Sequence, residues 1–215
     1  MSRVTIRPET FLPKNRLEAF SDGVLAIVIT ILVLELKVPE VSGQQALLSA
    51  LAEDWRSFAG YLISFVFVGG CWIAHSNATR LVDRGDPILF RFTLVWLLFV
   101  SLIPFSTALM TSYIGDPGEE VAVAIYGIDL FLASLFLNLI IRYSASKEGL
   151  VAGEVADEEL LATLRQRKYV LILQLAGVGL ALFEPSVAIA FYLLASLLFI
   201  IGPLFTLGRA RRKPA

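Results

Sequence analysis

The stretch from residue 16 to residue 36, RLEAFSDGVLAIVITILVLEL, decides the fold class. From Gly23 to Leu34 it carries no charge, and Thr30 is its only hydroxyl. A helix needs about 20 predominantly apolar residues to cross the hydrocarbon core of a bilayer. Lipid offers no hydrogen-bond partner to a bare amide, so a crossing segment must satisfy its backbone internally, as a helix does. Residues 17–36 are therefore predicted to form a first transmembrane helix.

The same pattern recurs along the chain. A second span is predicted over 55–78, with the core GYLISFVFVGGCWIAH, whose three glycines suit close helix packing. A third covers 88–112 and contains LVWLLFVSLIPF, with a kink expected at Pro104. The fourth covers 120–142, after the turn Gly115-Asp116-Pro117-Gly118. The fifth and sixth are placed at 169–183 and 187–208, with Glu184-Pro185 as the turn between them. Pro39 and a weakly amphipathic QQALLSALAEDW segment link the first two spans. The loop over 144–168 is charged, and EVADEELLATLRQRK within it reads as a short polar helix at the membrane surface. The expected fold is all-α: a single six-helix transmembrane domain over 1–215, with no soluble domain. No apolar run precedes Phe20, so the first span is expected to be a permanent signal anchor, with no cleavable signal peptide.

Composition agrees with a life in lipid. The chain is 57% hydrophobic and 17% charged, where soluble proteins average about 45–50% and about 25%. The charges also orient it, because lysine and arginine near span ends prefer the cytoplasmic side. With six spans, 16 of the 18 lysines and arginines fall on one side. They are Arg3, Arg7, Lys14 and Arg16 before the first span, and Arg80, Arg84 and Arg91 around the second connection. Arg142, Lys147, Arg165, Arg167 and Lys168 belong to the fourth connection, and Arg209, Arg211, Arg212 and Lys213 to the tail. Only Lys37 and Arg56 fall on the other side. Both termini are thus expected in the cytoplasm, in a multi-pass protein of the cell membrane.

Wrapped on a helix at about 100° per residue, the first span shows distinct faces. Phe20, Gly23, Ile27, Thr30, Ile31 and Leu34 share one stripe, at spacings of three and four. Taken alone, such a stripe reads as a packing seam of a helical bundle. Asp22 points nearly the opposite way, with Ala26, Ile29 and Val33. A carboxylate near the end of a span is costly and normally faces protein or water. Trp72, His75, Ser76 and Asn77, at the cytoplasmic end of the second span, lie at the same depth. A network of Ser21, Asp22, His75 and Asn77 that locks the first helix against the second is therefore expected, and a lone histidine beside an acid also suits a pH sensor.

Enzyme classes find little support. The chain has one cysteine, Cys71, and one histidine, His75, too few for a Cys/His metal centre. HExxH and GxSxG are missing, so no catalytic constellation or cofactor is expected. No basic-aromatic patch suggests nucleic acid, and no soluble protein partner is indicated. The tail Arg209-Ala210-Arg211-Arg212-Lys213 reads as an anchor near anionic lipid.

The sequence Arg16-x-x-x-Phe20-Ser21-Asp22 followed by an apolar helix resembles the signature of the transmembrane protein 175 family of potassium channels. The Trp72-x-x-His75 element with Asn77, and Leu102-Ile103-Pro104-Phe105 with Thr107, are similar to it too. The resemblance implies a six-helix repeat whose first helix lines a central pore, and a homotetramer for a single-repeat chain. It places Ile27 at the hydrophobic constriction, with Ile31 and Leu34 continuing the pore wall. It places Thr30 at the hydroxyl position implicated in selectivity, with potassium passing nearby. Arg16, Phe20, Ser21, Asp22, Trp72, His75 and Asn77 take structural and gating roles. Ser76 stands where many relatives carry a second histidine, which weighs against histidine-based gating here.

The physics of such a pore differs from that of a carbonyl filter, whose TVGYG sequence is missing. Four Ile27 side chains would close the pore by sterics and dewetting, and four Thr30 hydroxyls would replace part of an ion's hydration. A secondary or proton-coupled transporter is the alternative, but such carriers place acids or broken helices near the midplane. The predicted spans are nearly free of charge there. A structural or assembly protein without transport activity is the third reading.

Overall fold

The computed structural model describes residues 13–80, 87–146 and 156–210, with side chains described over 13–79, 87–145 and 167–198. The regular elements of these segments are helices: α1 (Lys14–Ile31), α2 (Gln44–Glu53), α3 (Trp55–Arg80), α4 (Pro87–Tyr113), α5 (Glu119–Ser146), α6 (Ala156–Ala181) and α7 (Pro185–Ala210). Arg3, Arg7, Arg84, Lys147 and Arg211 to Lys213, on which the predicted orientation partly rests, lie outside the described residues.

Four of the helical segments are long and apolar enough to cross a membrane: Lys14–Glu35, Trp55–Thr79, Pro87–Tyr113 and Glu119–Ala145. They overlap the first four predicted spans. Within α7, the residues with described side chains add an apolar stretch over Pro185–Leu198. The expected polar surface helix and the start of the fifth span form one continuous helix, α6. No glycine or proline stands between Ala156 and Ala176 to interrupt it.

The helix ends follow from local chemistry. α1 tightens into a single 3-10 turn over Leu32–Glu35, after which the backbone becomes extended at Leu36. Between α4 and α5, Gly115 and Gly118 hold φ values of 84° and 100°, a left-handed conformation that favours glycine. The Glu119 carboxylate accepts a hydrogen bond from the Gly115 amide at 3.0 Å, and the Arg56 guanidinium donates to the Ile114 carbonyl at 3.0 Å. Arg56 thereby ties the start of α3 to the end of α4, where carbonyls lack helical partners. α7 begins at Pro185, whose missing N–H costs nothing in a first turn.

α4 and α5 form the most extensively packed pair, with α6 on α5, α7 on α6 and α3, and α3 closing against α4. Trp96, Phe67, Tyr126, Leu130, Leu137, Ile140 and Tyr192 are buried at the centre. Tyr192 of α7 enters a slot whose walls are Gly127 of α5 and Gly177 of α6; a Cβ on either glycine would collide with its ring. Its ring meets Tyr126 edge-on at 5.7 Å, and its hydroxyl donates to the Val123 carbonyl at 3.4 Å. Of the α3 glycines, Gly60 lets Thr111 of α4 approach closely, while Gly69 faces open space. α1 lies outside this arrangement, resting on α3 and α4.

Candidate functional site

The placement of α1 follows from its sequence. Leu17, Ser21, Leu25, Val28 and Leu32 recur every three or four residues and are buried against α3 and α4. That contact rotates the other two faces outward. Phe20, Ile27 and Leu34 are 54%, 60% and 73% exposed within the single chain, and Ile31 is exposed with them. The stripe singled out in the sequence is thus uncovered in the subunit, as are Asp22, Ala26 and Val33 of the opposite stripe. Thr30 is also exposed. Its hydroxyl lies 2.9 Å from the Ala26 carbonyl and 2.8 Å from that of Ile27. A hydroxyl has one hydrogen and two lone pairs. With the hydrogen committed to the helix backbone, the Thr30 oxygen presents lone pairs outward, the polarity a cation requires.

The polar residues at the start of α1 are arranged differently from the network expected for them. The Trp72 indole N–H donates to Asp22 Oδ1 at 3.0 Å, joining α1 to α3 on an exposed surface. His75, one turn along α3, faces inward, where it is buried and stacks on Trp96 of α4 at 4.5 Å with an interplanar angle of 14°. Residues three apart on a helix are offset by about 60°, enough to send Trp72 to the rim and His75 to the core. Ser21 is buried without a hydrogen-bond partner among the described residues. Asn77 is exposed and not joined to Asp22. Arg16 is exposed, one turn before Phe20, and its backbone amide donates to the Pro13 carbonyl. The structure therefore brings together Asp22 and Trp72, and separates Ser21, His75 and Asn77 from that pair.

Sequence reasoning passed over the acid at the middle of α5. Asp129 is the only charged residue between Glu120 and Arg142. It is 7% exposed, with the Ser106 hydroxyl 2.7 Å from its Oδ2. Beside it, the Ser64 hydroxyl joins Thr107 at 2.7 Å and Tyr126 at 2.8 Å. A lone acid inside an apolar run was the available signal. Among the described residues no group of three or more His, Cys, Asp or Glu side chains is arranged to hold a metal ion.

Comparison with known proteins agrees with this arrangement. The family model for the endosomal/lysosomal potassium channel TMEM175 matches residues 16–104, which hold α1, α3 and most of α4. A potassium channel of Chamaesiphon minutus is 37% identical over 158 residues, covering 72% of this chain and 77% of its own. A potassium channel of Chryseobacterium is 34% identical over 194 residues, covering 88% of this chain and 94% of its own. Among solved structures, the crystal structure of a lysosomal potassium-selective channel TMEM175 homologue from Chamaesiphon minutus superposes with a TM-score of 0.77 at 28% identity. It covers 88% of this chain and 97% of that one. With its membrane-spanning helices, its uncovered α1 stripe and relatives matched over most of their length, this chain belongs to the TMEM175 family.

Proposed function

We propose that this protein is a potassium-permeable channel whose pore is lined by α1 of each subunit of a homotetramer. It acts without cofactor or enzymatic activity, in the cell membrane, with six spans and both termini in the cytoplasm. The observation that carries the reading is the near-full-length similarity to a bacterial potassium channel, 94% of which this chain covers. The geometry of α1 supports it from a second direction. One face of the helix is buried on α3 and α4, and the stripe of Phe20, Ile27, Thr30, Ile31 and Leu34 is left free to meet the same stripe of other copies. Closed rotational symmetry is the usual way for identical subunits to bury such a surface.

In this reading Ile27, Ile31 and Leu34 form the apolar wall, and Ile27 the constriction. A narrow apolar ring excludes water and with it hydrated ions, so opening requires the α1 helices to separate or turn. Thr30 lies one turn from Ile27, where hydroxyl oxygens replace part of the water shed by an entering ion. Potassium loses its hydration more readily than sodium, so weak hydroxyl coordination favours potassium. The Asp22–Trp72 hydrogen bond couples α1 to α3 beside the pore entrance, with Arg16, Phe20, Ser21, His75 and Asn77 around it.

The test is ion flux into liposomes containing the purified protein, with potassium and sodium gradients compared. The channel reading expects potassium-preferring flux that rises with Ile27→Ala. Equal flux in both proteins would remove Ile27 from the constriction. Saturable transport that stops when the proton gradient is collapsed would replace the channel with a proton-coupled carrier, a reading to which the buried Asp129 lends its one point of support.

A further inference from the structure

The hydroxyl groups between α3, α4 and α5 form two short chains that end on the same atom. Thr107 Oγ1 lies 2.6 Å from the Ile103 carbonyl oxygen and Ser106 Oγ lies 3.1 Å from it. Behind Thr107 stand Ser64, at 2.7 Å, and then Tyr126, 2.8 Å from Ser64. Behind Ser106 stands Asp129, at 2.7 Å. The first chain has a consistent direction: Tyr126 donates to Ser64, Ser64 to Thr107, and Thr107 to Ile103. Each hydroxyl gives its one hydrogen forward.

The second chain resolves in the same way when the acid carries a hydrogen. Ser106 has one hydrogen and two acceptors in reach, the Ile103 carbonyl and Asp129 Oδ2. An ionised Asp129 would draw that hydrogen toward itself and leave Ile103 a shared or lost bond from Ser106. A protonated Asp129 donates from Oδ2 to Ser106, and Ser106 donates onward to Ile103, so both short contacts are hydrogen bonds.

The surroundings of Asp129 favour the same state. Its Oδ1 is buried with no partner among the described residues. An ionised oxygen so placed would pay a desolvation penalty of several kcal/mol, whereas the carbonyl oxygen of a neutral acid pays far less. The ionisable group close by is the phenol of Tyr126 on its own helix. α3 and α4 bring the neutral hydroxyls of Ser64, Ser106 and Thr107, and α6 brings no acid or base to it among the described side chains. Among the described side chains, no lysine or arginine acts on the Asp129 carboxylate.

We propose that Asp129 is a proton-binding site in the core of each subunit, its bound hydrogen heading the chain from Asp129 through Ser106 to the Ile103 carbonyl. Release of that proton turns the Ser106 hydrogen back toward Asp129 and weakens or removes one hydrogen bond to Ile103, at the seam of α4 and α5. α4 also carries α1, so the change reaches the stripe of Ile27; this consequence rests on the channel reading, whereas the site itself does not.

Infrared spectroscopy of the purified full-length protein in liposomes tests the site without any flux measurement. At mildly acidic pH the wild type is expected to show the carbonyl stretch of a buried protonated carboxylic acid, lost completely in Asp129→Asn. Ser106→Ala, which removes the acceptor and keeps the acid, is expected to shift that band to higher frequency. It also serves as the deciding variant if Asp129→Asn does not fold. Absence of the band in wild type, its survival in Asp129→Asn, or its indifference to Ser106→Ala would overturn the proposal. A band seen only when potassium and sodium are replaced by a large organic cation would overturn it too, since a metal ion would then be the natural counter-charge.

Discussion

α1 and α5 are both apolar helices of a length to cross a membrane, and the subunit treats them in opposite ways. In their most apolar windows 28% of α1 is buried inside the subunit, against 61% of α5. α5 packs on α3, α4, α6 and α7, leaving Val121, Ile125 and Ile128 exposed, and meets its neighbours by shape: Gly127 receives Tyr192, Asp129 meets Ser106, and Tyr126 meets Ser64. α1 has neighbours on one side only. A side chain on α5 is therefore constrained by packing, whereas a side chain on the outer stripe of α1 is constrained by whatever the assembled protein places before it. Sequence hydropathy alone cannot separate these cases, because both helices read as apolar spans.

This contrast is broken most severely by filling the slot in α5. Gly127→Ala puts a methyl group where the Tyr192 ring stands, and overpacking of that kind costs about 1–3 kcal/mol. The expected outcome is a clear fall in the thermal midpoint of the detergent-solubilised protein; an unchanged midpoint would mean that α7 is not held in that slot. Ile27→Ala should lower the midpoint less, since Ile27 lies outside the packed core of its own subunit. Its effect belongs in the flux assay, where potassium leak should rise several-fold. A loss of stability as large as that of Gly127→Ala would place Ile27 in a tight packing seam.

Smaller effects sharpen the boundary between the two regions. Tyr126→Phe removes the hydroxyl that bonds Ser64 in the core. It should cost about 0.5–1.5 kcal/mol, the net worth of one hydrogen bond, read as a lowered midpoint. Trp72→Phe cuts the exposed bond to Asp22 and should cost less than Tyr126→Phe, while changing how readily the pore opens. A flux trace identical to wild type would leave that bond without a gating role. Thr30→Val keeps the shape and deletes the oxygen. The potassium-to-sodium flux ratio should fall less than tenfold, which is under about 1.4 kcal/mol of discrimination, with no change in stability. An unaltered ratio would remove Thr30 from selectivity.

Much of this protein was legible before any coordinates. Periodicity marked the first four spans, because the hydrocarbon core demands a length of apolar helix that few other structures need. The stripe of Phe20, Ile27, Thr30, Ile31 and Leu34 could be drawn from spacing alone, since residues three and four apart must share a helix face. The Gly115-Asp116-Pro117-Gly118 turn announced itself through residues suited to unusual backbone angles, and two of the four have them. Asp129 was passed over although it stands as a lone charge in an apolar run, and no local pattern marked Ser106 as its partner.

Which faces meet was decided only in three dimensions. Leu17, Leu25, Val28 and Leu32 are as apolar as Ile27, Ile31 and Leu34, and nothing in composition says which set packs on α3 and α4. The choice depends on the rotation of α1 about its axis, which is set by the summed fit of many weak contacts. The same holds for Asp22, which meets Trp72 while His75 turns inward to Trp96. It holds for Tyr192, whose slot comes from glycines 65 and 15 residues away in the chain. Sequence by itself determined that this chain lives in lipid and which residues share a helix face, because those properties are local and periodic. Tertiary structure decided which face is covered, which is left free and which buried polar groups find each other, because those depend on contacts between residues far apart in the chain.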